Sequence, residues 1–265
     1  MLVALGCVLN RELKKTFRQK SRLLSAMVRP LIWLFVIGGG VSSILPDDSS
    51  GTYQQTIVPG ILGMTLLFGS MLSALTTVYD KESGVMRMFI ISPLPGYGVI
   101  LSKLASSTLA GILQASMLCI LLLALQILAP QQIRWGLLIF GILITGITCS
   151  SIGLIAAVIS KSLDNFAAIM NFVIFPIFFL SGALYPVQNL PIILQLIATL
   201  NPFTYGVDLL KHSLDLNFIS TDFSITNNLA VLFIFSTFAT IFASWKFSQE
   251  GTLSSLLNKL SGPKK

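Results

Sequence analysis

Asp80, Lys81, Glu82 and Arg87 fall in one stretch, Asp80 to Gly96, between two runs that hold no Asp, Glu, Lys or Arg: Ser49 to Tyr79 before it and Leu104 to Ile133 after it. The spacing makes no metal-ligand set and no acid–base pair aimed at a nucleophile. It suits a water-exposed loop that grips another surface. Within it Val85, Met88 and Phe89 follow i, i+3, i+4, which predicts one apolar stripe on a short helix. Glu82, near the start of that helix, suits its positive end. Ser92-Pro93-Leu94-Pro95-Gly96 then breaks it. A helix this short is not stable alone in water. It either packs on a membrane surface or docks into a second protein.

Other reactive side chains are sparse. Cys7, Cys119 and Cys149 have no metal-ligand spacing and read as small hydrophobes. The single His212 reads as a surface residue. There is no G-x-x-x-x-G-K-[ST] phosphate loop, no H-E-x-x-H and no G-x-S-x-G. The expectation is a chain with no catalytic, cofactor or metal residues of its own. Gln114, Asn171 and Ser181 are the polar residues within apolar runs that could face a path, although bonding between helices is the simpler role for each. No ionisable group is expected deep in a span, which argues against a proton antiporter. Sodium held by carbonyls and hydroxyls remains compatible.

These groups need elements to hold them, and composition says which. Of 265 residues 54% are hydrophobic and only 10% charged, with mean hydropathy +0.85. A soluble domain carries about 25% charged residues. The chain therefore reads as an all-α integral membrane protein, since its apolar runs are continuous rather than alternating. Residues 1–22 predict an amphipathic interfacial helix, with Leu2, Leu5, Leu9, Leu13 and Phe17 on one face and Arg11, Lys14, Lys15, Arg18 and Arg22 on another. It is a plain lipid anchor or it also touches a partner. A basic run after the first apolar residues is the reverse of a cleavable signal.

Six spans are expected, at 24–45, 55–79, 97–128, 135–160, 166–185 and 227–245, each near the 20 residues a bilayer needs. Arg29 is placed at the inner end of the first, where it can snorkel. Leu45 to Gly51 is expected to be a turn. Gly60, Gly63 and Gly69 in the second span, and Gly141, Thr145, Gly146, Thr148, Ser150 and Ser151 in the fourth, are candidates for close helix contact. From 190 to 210 two apolar pieces of about ten residues, opened by Pro191 and by Asn201-Pro202, are each too short to cross. They predict a re-entrant helical hairpin on the external side between spans five and six, tolerated only where protein covers it. In this arrangement every Lys and Arg except Arg134 and Lys211 falls on one side. The positive-inside rule makes that side cytoplasmic, with both termini and the 80–96 loop. The net charge of +7 is thus topological and implies no nucleic acid.

The order of parts resembles the membrane subunit of ABC exporters of the transmembrane type-2 kind, the drug-resistance and nodulation-factor export group. Three places carry the resemblance: Asp80-x-Glu82-x-Gly84 followed by Met88 and Pro93; Phe179-Leu180-Ser181-Gly182-Ala183-Leu184-Tyr185-Pro186 continuing to Leu190-Pro191; and Asn201-Pro202-Phe203-Thr204-Tyr205-Gly206-Val207-Asp208. Ser102-Lys103 stands where relatives often have Gly-Lys. The resemblance implies one type-2 transmembrane domain over 1–265, paired with a second copy or a close relative. It implies two separate ATPase subunits that hold the ATP and Mg. It makes 80–96 the coupling loop, worked through Asp80, Glu82, Gly84, Val85, Arg87, Met88, Phe89 and Pro93. The external gate would use Ser181, Gly182, Pro186, Pro191, Asn201, Pro202 and Tyr205. The expected role is export of an amphipathic or lipid-like substrate across a bacterial inner membrane. The alternatives are an exporter of polysaccharide or lipid-linked glycan and, from another class, a membrane-embedded enzyme or assembly factor.

Overall fold

A computed structural model describes residues 27–42, 47–85, 96–214 and 221–260, with Asn10 and Lys14. Among these, regular structure is helical, with one isolated antiparallel bridge between Ile133 and Leu214. We number the helices α1 (Met27–Val41), α2 (Asp47–Glu82), α3 (Gly96–Ala124), α4 (Trp135–Ile159), α5 (Leu163–Phe179), α6 (Ile192–Leu200), α7 (Pro202–His212) and α8 (Ile225–Leu260).

Four of them, α2 from Gln55, α3, α4 and α8 to Gln249, are long and apolar enough to cross a membrane, and α6 with α7 would make a fifth if taken as one bent span. Their bounds follow the long uncharged runs. The expected spans at 24–45 and 166–185 correspond to α1 and α5, both shorter than 18 residues. Each contains a π-helical stretch, Trp33–Gly38 in α1 and Met170–Ile174 in α5. The expected turn at 45–51 is helical from Asp47.

The bundle is built round α2. Its apolar run is 89% buried, against 22% for α8 at the rim. Glycines bring the neighbours in. A Cβ on Gly60 would collide with the Ala183 carbonyl, one on Gly63 would lie 3.0 Å from Val207, and one on Gly69 would lie 3.3 Å from Gly111 of α3. The small residues expected to pack in α4 are all buried. Two of their hydroxyls turn back on their own helix, Thr148 to Ile144 O at 3.0 Å and Ser151 to Ile147 O at 2.9 Å, which satisfies them without a partner helix, whereas Thr145 donates across to Gly206 O of α7 at 3.4 Å.

Candidate functional site

Three groups of functional side chains stand at three levels of the bundle: the loop end, the hairpin end and the middle.

At the loop end Asp80 and Lys103 form a buried ion pair, each side chain 2% exposed. It joins the last turn of α2 to the second turn of α3. Beside it Lys81 Nζ donates to Val158 O at 2.7 Å and reaches Ser160 O at 3.5 Å. These carbonyls lie at the end of α4, where a helix leaves acceptors unmatched and a cation is favoured. One turn of α2 is thus fastened to both α3 and α4. Gly84, at φ +75°, stops α2, and its N–H donates to Lys81 O at 3.2 Å. Only glycine takes this left-handed geometry without strain. Glu82 is therefore the exposed last residue of α2, not an early residue of a separate loop helix. Val85 resumes helical geometry. Arg87, Met88, Phe89 and Pro93 lie outside the described residues, as do Arg11, Lys15 and Arg18; Lys14 is helical and exposed.

At the other end α6 and α7 meet at 87° across Asn201. Asn201 Oδ1 accepts the Phe203 N–H at 3.0 Å, capping α7, while its Nδ2 donates to Ile177 O at 2.7 Å and ties the corner to α5. Pro202 occupies the first position of α7, where a missing N–H is harmless. Tyr205 OH donates to Thr199 O at 2.9 Å, bracing the corner. Pro191 leads into α6, whose Ile192, Ile193, Leu196 and Leu200 are exposed apolar side chains, whereas α7 is buried. Between α5 and α6, Ser181 Oγ donates to Phe178 O at 2.6 Å, Gly182 has φ +72°, and Pro186 precedes the turn Val187–Asn189.

The same end carries a polar lock that the sequence did not single out. Buried Asp208 accepts the N–H groups of Asp222 (2.7 Å) and Phe223 (3.2 Å) and Asn228 Nδ2 (2.8 Å). His212 Nε2 stands 3.5 Å from Asp208 and 2.8 Å from Phe223 O. His212 is therefore part of this lock rather than a free surface group. Lys211 pairs with Asp222 at 3.1 Å, and Asp222 also accepts the Val187 N–H. The signal was the i, i+4 spacing of Asp208 and His212 on α7, with Lys211 beside them.

The middle level holds an arginine among aromatic rings. The guanidinium of Arg29 lies 4.3 Å from the centre of the Phe68 ring and 5.8 Å from that of Phe175. Phe68 is midway along the run Gln55–Glu82, about 20 Å from either end at 1.5 Å per residue. The mid-points of α3 and α4 meet α2 at this same level, through Gly111 beside Gly69 and Gly146 beside Leu66. Arg29 stands in the first turn of α1, two residues after Met27. Its side chain follows the aromatic cluster of Trp33, Phe68, Phe175, Phe178 and Phe179, whose rings sit 5.3–6.4 Å apart. Ring contacts of this kind contribute about 0.5–2 kcal/mol.

Of the candidate path residues, Gln114 is buried against Gly69, Ser181 is buried and satisfied, and Asn171 is exposed on α5. Among the described residues no three His, Cys, Asp or Glu side chains stand together as a metal site. Cys119 and Cys149 are buried free thiols.

A bundle of helices long and apolar enough to cross a membrane, with its ion pairs at the ends, is the build of a membrane-embedded protein. The chain belongs to the ABC-2 type transporter family, whose model matches residues 4–214. It is similar to the putative transport permease ycf38 of Cyanophora paradoxa, 29% identical over 74% of this chain and 70% of that one. It is also similar to nodulation protein J of Rhizobium leguminosarum bv. trifolii, 24% identical over 71% and 72%. The inner membrane transport permease YadH of Escherichia coli K12 is 22% identical over 94% of this chain and 96% of its own.

Proposed function

We propose that this permease is the membrane half of an ATP-driven exporter in a bacterial inner membrane. Two copies, or this chain and a close relative, pair and bind two separate ATPase subunits that carry ATP and Mg. In this reading α1 and α5 complete six spans, the 190–210 hairpin re-enters the external leaflet, and both termini face the cytoplasm. The basic N-terminal helix rests on anionic lipid or meets the ATPase. The substrate is amphipathic or lipid-like.

The observation that carries this reading is the fastening at the loop end. The segment from Glu82 to Phe89 hangs from a turn held to α3 by Asp80–Lys103 and to α4 by Lys81. A push there reaches α2, and α2 touches most of the other helices. Ser181, Gly182, Pro186, Pro191, Asn201, Pro202 and Tyr205 then serve the outward gate at the opposite end. The test is Ala at Glu82 or Phe89, with insertion, ATPase co-purification and transport measured together. Insertion persists while ATPase attachment or transport is lost. Unchanged attachment and transport in both variants overturns the proposal.

A further inference from the structure

The hairpin end divides into two bodies, and one carboxylate joins them. The first body is α7 with the outer end of α8. Asp208 of α7 accepts the Asp222 and Phe223 N–H groups and Asn228 Nδ2, Lys211 pairs with Asp222, and His212 Nε2 meets Phe223 O. Asp222 and Phe223 lie just before α8, and Asn228 lies in its first turn. Buried bonds to charged groups reinforce one another, so these parts hold as a unit. The second body is the turn after Gly182 with α6. It meets the first through the Val187 N–H, which donates to Asp222 Oδ1 at 3.1 Å. Gly182 packs on the same carboxylate: a Cβ there would lie 3.6 Å from Asp222 Oδ2 and 2.7 Å from Val187.

The second body has a joint at each end. Gly182, at φ +72°, separates it from α5, and Asn201 is the 87° corner between α6 and α7. Loop positions of this kind absorb the backbone change when a segment swings. The first body has a handle. At the loop end α8 packs on the start of α3, where a Cβ on Gly96 would lie 3.0 Å from Ser248 Oγ and 3.3 Å from Phe247. Gly96 is where the 80–96 connection re-enters the bundle. Between these two ends α8 is the least enclosed of the four long helices, its apolar run 22% buried against 89% for α2. The long helix with room to shift is therefore the one that touches the loop end and carries α7.

We infer that Asp222 is a latch, a positioning residue that holds the turn after Gly182 and α6 closed on α7. Lys211 offsets its charge in a site where the two side chains are 7% and 2% exposed. A shift of α8 that begins at Gly96 carries α7 and Asp222 away from Val187. The turn and α6 then swing between Gly182 and Asn201. This rests on the transport reading for its purpose, since it says which part of the outward gate moves. Its test contains no ATPase, so it fails or succeeds separately from the co-purification experiment.

The full chain, with Cys7, Cys119 and Cys149 replaced by Ala, is placed in phosphatidylcholine nanodiscs. One pair of nitroxide labels goes on exposed Leu196 of α6 and Phe233 of α8, as L196C/F233C; a second, at the loop end, goes on exposed Leu101 of α3 and Trp245 of α8, as L101C/W245C. Distances are read by double electron–electron resonance. In D222A the outer pair is expected to move by several ångström and broaden, while the loop-end pair keeps the parental distance. D222A/K211M is expected to move the outer pair equally, because the tie to Val187 is still gone although no charge is stranded. An outer pair unchanged in D222A overturns the inference. So does recovery in the double variant, which would reduce Asp222 to a counter-ion for Lys211, and so does a change in both pairs together, which is loosening of the whole bundle. The double variant strands no buried charge and decides the matter alone should D222A not fold.

Discussion

Removing one member of the Asp80–Lys103 pair leaves the other charge buried in a site 2% exposed. Breaking a pair of this kind costs about 3–5 kcal/mol, whereas replacing both members by apolar side chains of similar volume is often neutral or stabilising. Lys103→Met and Asp80→Leu are each expected to lower the thermal midpoint of the detergent-solubilised protein sharply. The double variant D80L/K103M is expected to recover most of that loss. The loss in a single variant is mainly the desolvated charge left behind, so it vanishes when both charges go. The readout is monodisperse protein remaining on size exclusion after graded heating. Two results refute the reasoning: single variants indistinguishable from the parent, or a double variant that falls by the sum of the two.

Gly60→Ala drives a methyl group into the Ala183 carbonyl, and because backbone cannot rotate away the cost is at least the 1–3 kcal/mol (about) of ordinary overpacking; Gly39→Ala meets nothing within 4 Å and, in a helix, gains up to about 1 kcal/mol. The same heating assay should move in opposite directions for the two. Asn201→Ala removes the α7 cap, about 1 kcal/mol, and the bond to Ile177 O, about 1 kcal/mol more. The hairpin end should then become protease-sensitive before the loop end does, and equal sensitivity at both ends contradicts the bracing role.

The long apolar helices α2, α3 and α4 were readable because their apolar runs are long and their ends are marked by charge or by turn residues. The close-contact glycines of α2 were readable for the same reason: a missing side chain in a continuous apolar run has few uses besides approach. What escaped needed knowledge of register. Asp80 and Lys103 are 23 residues apart, and only the pairing of α2 with α3 brings them together. The contact of Arg29 with Phe68 and Phe175 likewise needed the packing of α1 on α2 and α5. Gly84 was read as part of the loop helix; its positive φ makes it the stop for α2 and leaves Glu82 on the preceding element.

The encirclement of α2 limits how this protein can change in length. One residue inserted near its centre would turn everything beyond it by about 100° and advance it by about 1.5 Å. Gly60 and Gly63 would then point away from Ala183 and Val207 if the other half stayed in place. No neighbour could follow without breaking its own fit to the rest. Insertions and deletions should therefore collect in the connections and at the far end of α8, while the central rod keeps a constant number of residues across otherwise divergent sequences.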